Sequence, residues 1–331
     1  MHIVIFGVGA IGGFYGTKIA HYINKTKAKD LKISFVARGR TFQILKTQGS
    51  KLICKKGNFA EMQETIIIEK DLSVFESYSE LDIDPDELTV VLLCTKSKDT
   101  IPASLAIKRK FNDNTLIVSV QNGVDNEEKI ASILNPENVI GCLTNVAAET
   151  LEPGIYLQKG NYGLLFGEMK ANLGKTFRGK NRIDLLAKIF GEAGINIKTT
   201  ETITKDQWSK LVWNASFNPI SVLYGETVGK LLDDPEIKAR IYAVMKETLA
   251  VAKAQGIDLP DDVAEKHIER TSAPDWYDFR TSMLQDYQKG KAIELNELLG
   301  VVIERGKKYN TPTPEASKLY EELLSRHSEG V

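Results

Sequence analysis

Cysteine is scarce in this 331-residue chain: Cys54, Cys94 and Cys142 lie far apart, odd in number and without a CxxC spacing. They read as reduced, mostly buried side chains of a cytosolic protein, and none has a His and acid arrangement that marks a nucleophile. Charge of one sign is also missing. The formal net charge is -1, which argues against broad attraction to nucleic acid or an anionic membrane, so any anion site has to be local. Long hydrophobic runs are absent: Thr89 to Cys94 and Leu116 to Val120 are far too short to span a bilayer. The first residues enter a strand-like segment, His2-Ile3-Val4-Ile5-Phe6, with neither a basic n-region nor a small-residue cleavage site. No signal peptide is expected, and the location expected is cytoplasmic. Four histidines (His2, His21, His267, His327) offer no ligand pair, so no metal is expected.

What is present is the balance of a soluble globular protein, with 42% hydrophobic and 26% charged residues over a length that accommodates two cores. Up to about residue 150, β-rich runs at 2–6, 32–37, 88–94, 115–120 and 138–143 alternate with helical patterns at 11–23, 40–48, 98–110 and 125–134. Such alternation predicts a parallel sheet with helices on both faces. The segment 51–70 reads as one or two further strands joined at Gly57-Asn58, and 150–170 stays β-like. After about Asn181 helical patterns dominate, at 181–193, 205–223, 234–255, 261–270, 279–308 and 313–326. The division is drawn as residues 1–180 for an α/β domain and 181–331 for an all-α domain.

Directly after the first strand stands Gly7-Val8-Gly9-Ala10-Ile11-Gly12, opening into a helix. The first glycine permits the tight turn, the second lets a pyrophosphate approach the backbone, and the third lets helix and strand pack closely. This is the fingerprint of a Rossmann dinucleotide site, with the phosphates on the helix N-terminus. The second strand runs into Arg38-Gly39-Arg40 with no acid at its tip. An acid there suits the ribose of NAD, whereas guanidinium suits a 2′-phosphate. NADPH is therefore expected, with Arg38 the first choice of contact and Arg40 the second; the alternative is a pair of solvated surface arginines.

Two more segments fall at carboxyl ends of strands, where open α/β sheets bind ligands: Cys94-Thr95-Lys96 and Gln121-Asn122-Gly123. Lys96 and Asn122 could contact the nicotinamide ribose or a substrate, although Asn-Gly is also a common turn. In the helical half, Lys210, Asn214 and Asn218 are spaced i, i+4, i+8 within Trp208-Ser209-Lys210-Leu211-Val212-Trp213-Asn214-Ala215-Ser216-Phe217-Asn218-Pro219. They line one helix face. A polar stripe among tryptophans and a phenylalanine suggests function, against the plainer reading of a solvent-facing stripe. Further on, Ser282 and Glu294 stand roughly 18 Å apart in one straight helix; a break near Gly290 is required if both line one small site.

Together these segments resemble ketopantoate reductases (2-dehydropantoate 2-reductases) from end to end. The likeness is carried by GVGAIGG, VARG, CTKS, QNGVDN, WSKLVWNASFNP and SMLQDYQKGKAIELNELLG, in order across nearly the whole chain. The resemblance implies a Rossmann domain followed by an all-helical domain with the active site in the cleft between them. It implies NADPH-dependent reduction of 2-dehydropantoate to (R)-pantoate, a step of pantothenate and coenzyme A biosynthesis. By the same likeness Lys210 is the general acid, and Asn214, Asn218 and Ser282 bind substrate. Asn122 lies between substrate and nicotinamide, Glu294 holds the polar network or the cofactor ribose, and Lys96 and the Ala147 segment lie beside the cofactor. Val228 stands where several relatives carry an asparagine, and Arg280 falls in what is often a small polar run. These departures leave reduction of another 2-oxo acid as the alternative; a non-catalytic NADPH-binding regulator ranks below it, since Lys210 and Glu294 are both present. The expected partner is a small 2-oxo acid, with no nucleic acid and no membrane. A homodimer is the expectation of base rate alone.

Overall fold

The computed structural model describes residues 1–56 and 63–328; the expected Gly57-Asn58 junction lies outside them. The chain divides into two compact units, one of Met1–Asn122 with Asn126–Ile203, the other of Gly123–Asp125 with the residues from Thr204 onward.

The first unit is built on a ten-stranded sheet among the described residues. Its centre follows the expected alternation: β1 (His2–Phe6), α1 (Ala10–Thr26), β2 (Lys32–Val36), α2 (Gly39–Gln48), β3 (Ser50–Lys56), β4 (Gln63–Glu69), the short β5 (Val74–Phe75) and β6 (Thr89–Leu93). There follow α3 (Thr100–Lys108), β7 (Thr115–Ser119), α4 (Asn126–Ala131), β8 (Val139–Glu152) and β9 (Ile155–Glu168). β10 (Thr176–Phe177), β11 (Lys180–Asn181), α5 (Arg182–Glu192) and β12 (Ile197–Thr200) complete it. Strand order is β4-β3-β9-β8-β7-β6-β1-β2-β5, with β12 paired to β9 off that path. β8, β7, β6, β1, β2 and β5 run parallel, His2 facing Lys32 on one side and Thr89 on the other.

Successive residues of the central strands enter opposite cores. Ile3 and Ile5 join Phe14, Tyr15 and Ile19 of α1, whereas Val4 joins Ala103 and Ile107 of α3 and Ile130 of α4. Burial on both faces is why these strands read as continuous apolar runs rather than alternating ones.

The sheet is mixed rather than wholly parallel. The strand expected at 138–143 is the beginning of the fourteen-residue β8, which folds back antiparallel onto β9. β3 pairs parallel with β9 and antiparallel with β4. α5 and β12, placed by their sequence in the helical half, belong to the first unit: β12 pairs with β9, and Leu186 and Phe190 enter the same core as β1. The buried Arg182 guanidinium donates to both oxygens of Glu168 on β9, at 2.9 and 2.6 Å, a planar fork that fixes the start of α5.

The second unit is helical: α6 (Ile203–Tyr224), α7 (Val228–Asp233), α8 (Pro235–Ala254), α9 (Val263–Thr271), α10 (Ser282–Gln288), α11 (Val301–Lys308) and α12 (Pro314–Ser328). Only the first residue of α6 groups with the sheet. The continuous pattern at 279–308 is interrupted. α10 stops before Gly290, whose φ of +65° is left-handed, residues 291–294 carry no regular structure, and a five-residue π turn at Asn296–Gly300 leads into α11. Trp208, Leu211, Val212, Phe217 and Ile220 of α6 pack with Val244 and Met245 of α8 and Leu298 and Val302. No helix among the described residues is long and apolar enough to cross a membrane.

Candidate functional site

In the strand order β1 lies between β2 and β6, so the chain leaves β1 at the switch point where connections diverge to the two sides. The crevice outside the carboxyl ends of strands at such a point is the usual ligand site of an open α/β sheet. GVGAIGG occupies that place.

Each glycine has a distinct reason. Gly7 has φ +93°, and a Cβ there would stand 2.7 Å from the Thr95 methyl carbon and 2.8 Å from the Thr95 nitrogen. At Gly12 a Cβ would lie 2.1 Å from the Gly7 carbonyl oxygen, which is the close helix–strand approach expected of the third position. Gly9 caps α1 and has nothing within 4 Å of an ideal Cβ. The space before the first turn of α1 is open, and that turn holds no acidic residue. This cradle fits a pyrophosphate: open backbone, a helix N-terminus and no opposing carboxylate.

Gly13 has a packing role that the dinucleotide motif does not announce. A Cβ there would fall 2.2 Å from the ring of Tyr156, a fully buried β9 side chain whose hydroxyl donates to the Val8 carbonyl at 3.4 Å. The doubled glycine was the available signal; its partner, over a hundred residues away, was not. Arg38 caps α2 at the end of β2, and both it and Arg40 are exposed. Ala147 is exposed on β8 at a register shift against β9.

The ends of β6 and β7 are tied together by a buried amide. Gln121 Nε2 lies 2.9 Å from Thr100 Oγ1, 3.1 Å from the Thr95 carbonyl and 3.2 Å from Thr95 Oγ1, while Ser119 Oγ donates to Oε1 at 3.1 Å. The Asn122 carbonyl accepts from Ser97 Oγ at 2.7 Å and from Asn126 Nδ2 at 2.8 Å. The two segments carrying Lys96 and Asn122 are therefore one rigid assembly. Lys96 is exposed and Asn122 half-buried. The Cys94 thiol beside this assembly supplies no nucleophile, since burial pushes it well above its ordinary range.

In the second unit Lys210 is half-buried, and Asn214 and Asn218 are buried at 6% and 1% exposure. The solvent-facing reading of the stripe is thereby excluded. Neither Nδ2 nor Oδ1 of Asn218 has a hydrogen-bond partner, although an unmet buried amide costs about 1–3 kcal/mol. At the residue before Lys210, His267 Nε2 bonds the Ser209 carbonyl at 2.8 Å, and Arg270 Nη2 donates to His267 Nδ1 at 3.3 Å. That pattern places the proton on Nε2, and burial holds this imidazole below its usual range. A neutral ring thus backs the turn that carries the lysine.

Ser282 is the exposed first residue of α10, and Thr281 before it is the N-cap, its hydroxyl accepting from Leu284 N at 3.1 Å. Glu294 is half-buried just before the π turn, its carbonyl accepting from Leu298 N. The interruption at Gly290 means that no continuous helix joins Ser282 to Glu294. Val228 is fully buried and its N–H bonds the Phe279 carbonyl, while Arg280 is exposed beside Gln288. Among the described residues no cluster of three or more His, Cys, Asp or Glu side chains could hold a metal.

The family model described as ketopantoate reductase PanE/ApbA matches residues 3–171, and its C-terminal counterpart matches 202–326. A 2-dehydropantoate 2-reductase of Mesorhizobium japonicum is 28% identical over 95% of this chain and 94% of its own. The crystal structure of 2-dehydropantoate 2-reductase from Methylococcus capsulatus is 29% identical, covers 100% of this chain and 99% of its own, and superposes with a TM-score of 0.79. D-mandelate dehydrogenase in complex with NADH, 21% identical over 99% of both chains, shares the fold at a TM-score of 0.83. Because the family models match 3–171, which holds the glycine cradle, and 202–326, which holds the asparagine helix, the chain belongs to the ketopantoate reductase family.

Proposed function

We propose that this protein reduces 2-dehydropantoate to (R)-pantoate with NADPH, in the cytoplasm, as a step of pantothenate and coenzyme A biosynthesis. The observation that carries this reading is Asn218: a buried amide with no protein partner, on the same helix face as Asn214 and Lys210. Such a group is retained at a cost in stability when a ligand completes its bonds. The activity of the relatives supplies the substrate, a small 2-oxo acid with a carboxylate and a hydroxyl.

The open cradle at Gly7–Gly12 would hold the pyrophosphate, with Val8, Ala10 and Ile11 completing the loop. Arg38, and behind it Arg40, would take the 2′-phosphate, with Lys96, Asn122 and Ala147 along the nicotinamide half. When bound, NADPH supplies the hydride for the 2-oxo carbon. Lys210, as an ammonium, donates to the ketone oxygen and passes its proton to that oxygen as negative charge develops on it. Asn214, Asn218 and Ser282 hold the carboxylate and hydroxyl without adding negative charge that would repel them. Asn122 orients the substrate toward the nicotinamide, and Glu294 anchors the polar network or the cofactor ribose.

A second reading, reduction of another 2-oxo acid, is favoured by Val228, an apolar side chain at the position where, by the resemblance, several relatives carry an asparagine. Steady-state rates across a panel of 2-oxo acids separate the two. A clear preference in kcat/KM for 2-dehydropantoate is expected, and comparable efficiency on several acids would remove the specific assignment.

A further inference from the structure

α6 and α10 are joined by two hydroxyls that the chemistry above does not use. Ser221 and Thr281 are both fully buried. Ser221 Oγ donates to the Asn218 carbonyl at 2.8 Å and lies 2.6 Å from Thr281 Oγ1. The proton directions follow by elimination. Ser221 has one proton, committed to Asn218, so Thr281 must donate to Ser221, while Thr281 Oγ1 accepts the Leu284 N–H. The result is a one-way chain, from the cap of the helix that opens with Ser282 to the peptide of Asn218.

The surrounding segment is held just as firmly. Val228 N–H bonds the Phe279 carbonyl at 2.9 Å and Gly229 N–H bonds the Tyr277 carbonyl at 3.0 Å. Gly229 must be glycine, since a Cβ there would lie 2.4–2.6 Å from Tyr277. The approach to Thr281 is therefore pinned to the start of α7, and Thr281 in turn is pinned to α6.

We propose that Ser221 and Thr281 are positioning residues which set the spacing and direction of Asn218 and Ser282 for the 2-oxo acid. The proposal rests on the functional reading above, in which those two side chains bind substrate. Two observations favour positioning over simple core packing. Apolar contact is non-directional, and a methyl pair would fill the same volume, whereas two hydroxyls in series specify a distance and an angle. Asn218 also has no hydrogen bond of its own to orient its amide, so its placement depends on the backbone that Ser221 holds.

The test compares Ser221→Ala, Thr281→Val and Thr281→Ser with the wild type in the full-length protein. Kinetics are measured with NADPH and whichever 2-oxo acid the wild type reduces best, alongside NADPH affinity and folded fraction. Ser221→Ala keeps the cap of α10 and removes only the bridge. It should lower kcat/KM for the acid about tenfold, chiefly through KM, because small misplacements of binding groups have effects of this order or larger. NADPH affinity should stay within about twofold, since no cofactor contact is touched. Thr281→Val should fall at least as far, and Thr281→Ser, which keeps the hydroxyl, should recover most of the loss. An unchanged KM in Ser221→Ala, or equal losses in Thr281→Ser and Thr281→Val, would overturn the proposal. A wild type that prefers another acid counts against the substrate assignment alone, because the variants are read as ratios on the preferred acid.

Discussion

Two buried amides behave oppositely in this molecule. Gln121, in the first unit, has its Nε2 and Oε1 bonded to Thr95, Thr100 and Ser119. Asn218, in the second, is more deeply buried and has both amide atoms without a partner. The same chemical group is spent on architecture in one place and kept in reserve in the other. A satisfied buried amide fixes the chain around it; an unsatisfied one costs stability, and on the function proposed above a ligand completes its bonds. The contrast separates residues whose loss should be read in a melting curve from those whose loss should be read in kinetics.

The largest expected effect lies on the kinetic side. Lys210→Ala should lower kcat by about a thousandfold, within the range of a lost general acid, and leave NADPH affinity nearly unchanged. A collapse of NADPH binding instead would mean that the lysine serves the cofactor. Asn218→Leu is the sharper test of the contrast. It should lower kcat/KM for the acid by about a hundredfold while holding or raising the melting temperature, because an unmet polar group is replaced by an apolar one of similar size. A clear fall in melting temperature would show that Asn218 is structural after all.

Arg38→Ala should raise the Michaelis constant for NADPH about tenfold, the order of one lost charge-assisted phosphate contact, and leave that for NADH near its starting value. Equal losses for both cofactors would argue against a 2′-phosphate contact. Gln121→Leu is expected to have the opposite signature to Asn218→Leu. Calorimetry should find it destabilised by about 1–3 kcal/mol, since Thr95 and Thr100 lose a buried partner. If Gln121→Leu melted like the wild type, the amide would not be the tie between the ends of β6 and β7.

Much of this was legible in sequence, and the reasons differ by element. β1, the glycine loop and α1 could be read almost to the residue because one short segment contains strand, turn and helix start together. The break at Gly290 followed from the distance that an intact helix would put between Ser282 and Glu294. β5 and β12 were invisible, since two to four residues have no periodicity and become strands only through pairing with β2 and β9. For the same reason α5 and β12 were grouped with the helical half. α7, at six residues, is too short for a 3.6-residue pattern to register.

The candidate site shows a similar division. The stripe of Lys210, Asn214 and Asn218 could be seen because its spacing is local to one helix. Whether that stripe faced solvent or core was not in the spacing, and the burial of both asparagines decides it. Tyr156 against Gly13, Gln121 against Thr100 and Ser221 against Thr281 join residues remote in sequence, and nothing in the order of residues announces such pairs.

The central claim is the reaction itself, and the most direct measurement follows NADPH absorbance with 2-dehydropantoate as the sole acid, with the product identified by chiral chromatography. The account predicts rapid NADPH consumption with stoichiometric (R)-pantoate. No consumption by a folded protein that binds NADPH would contradict it.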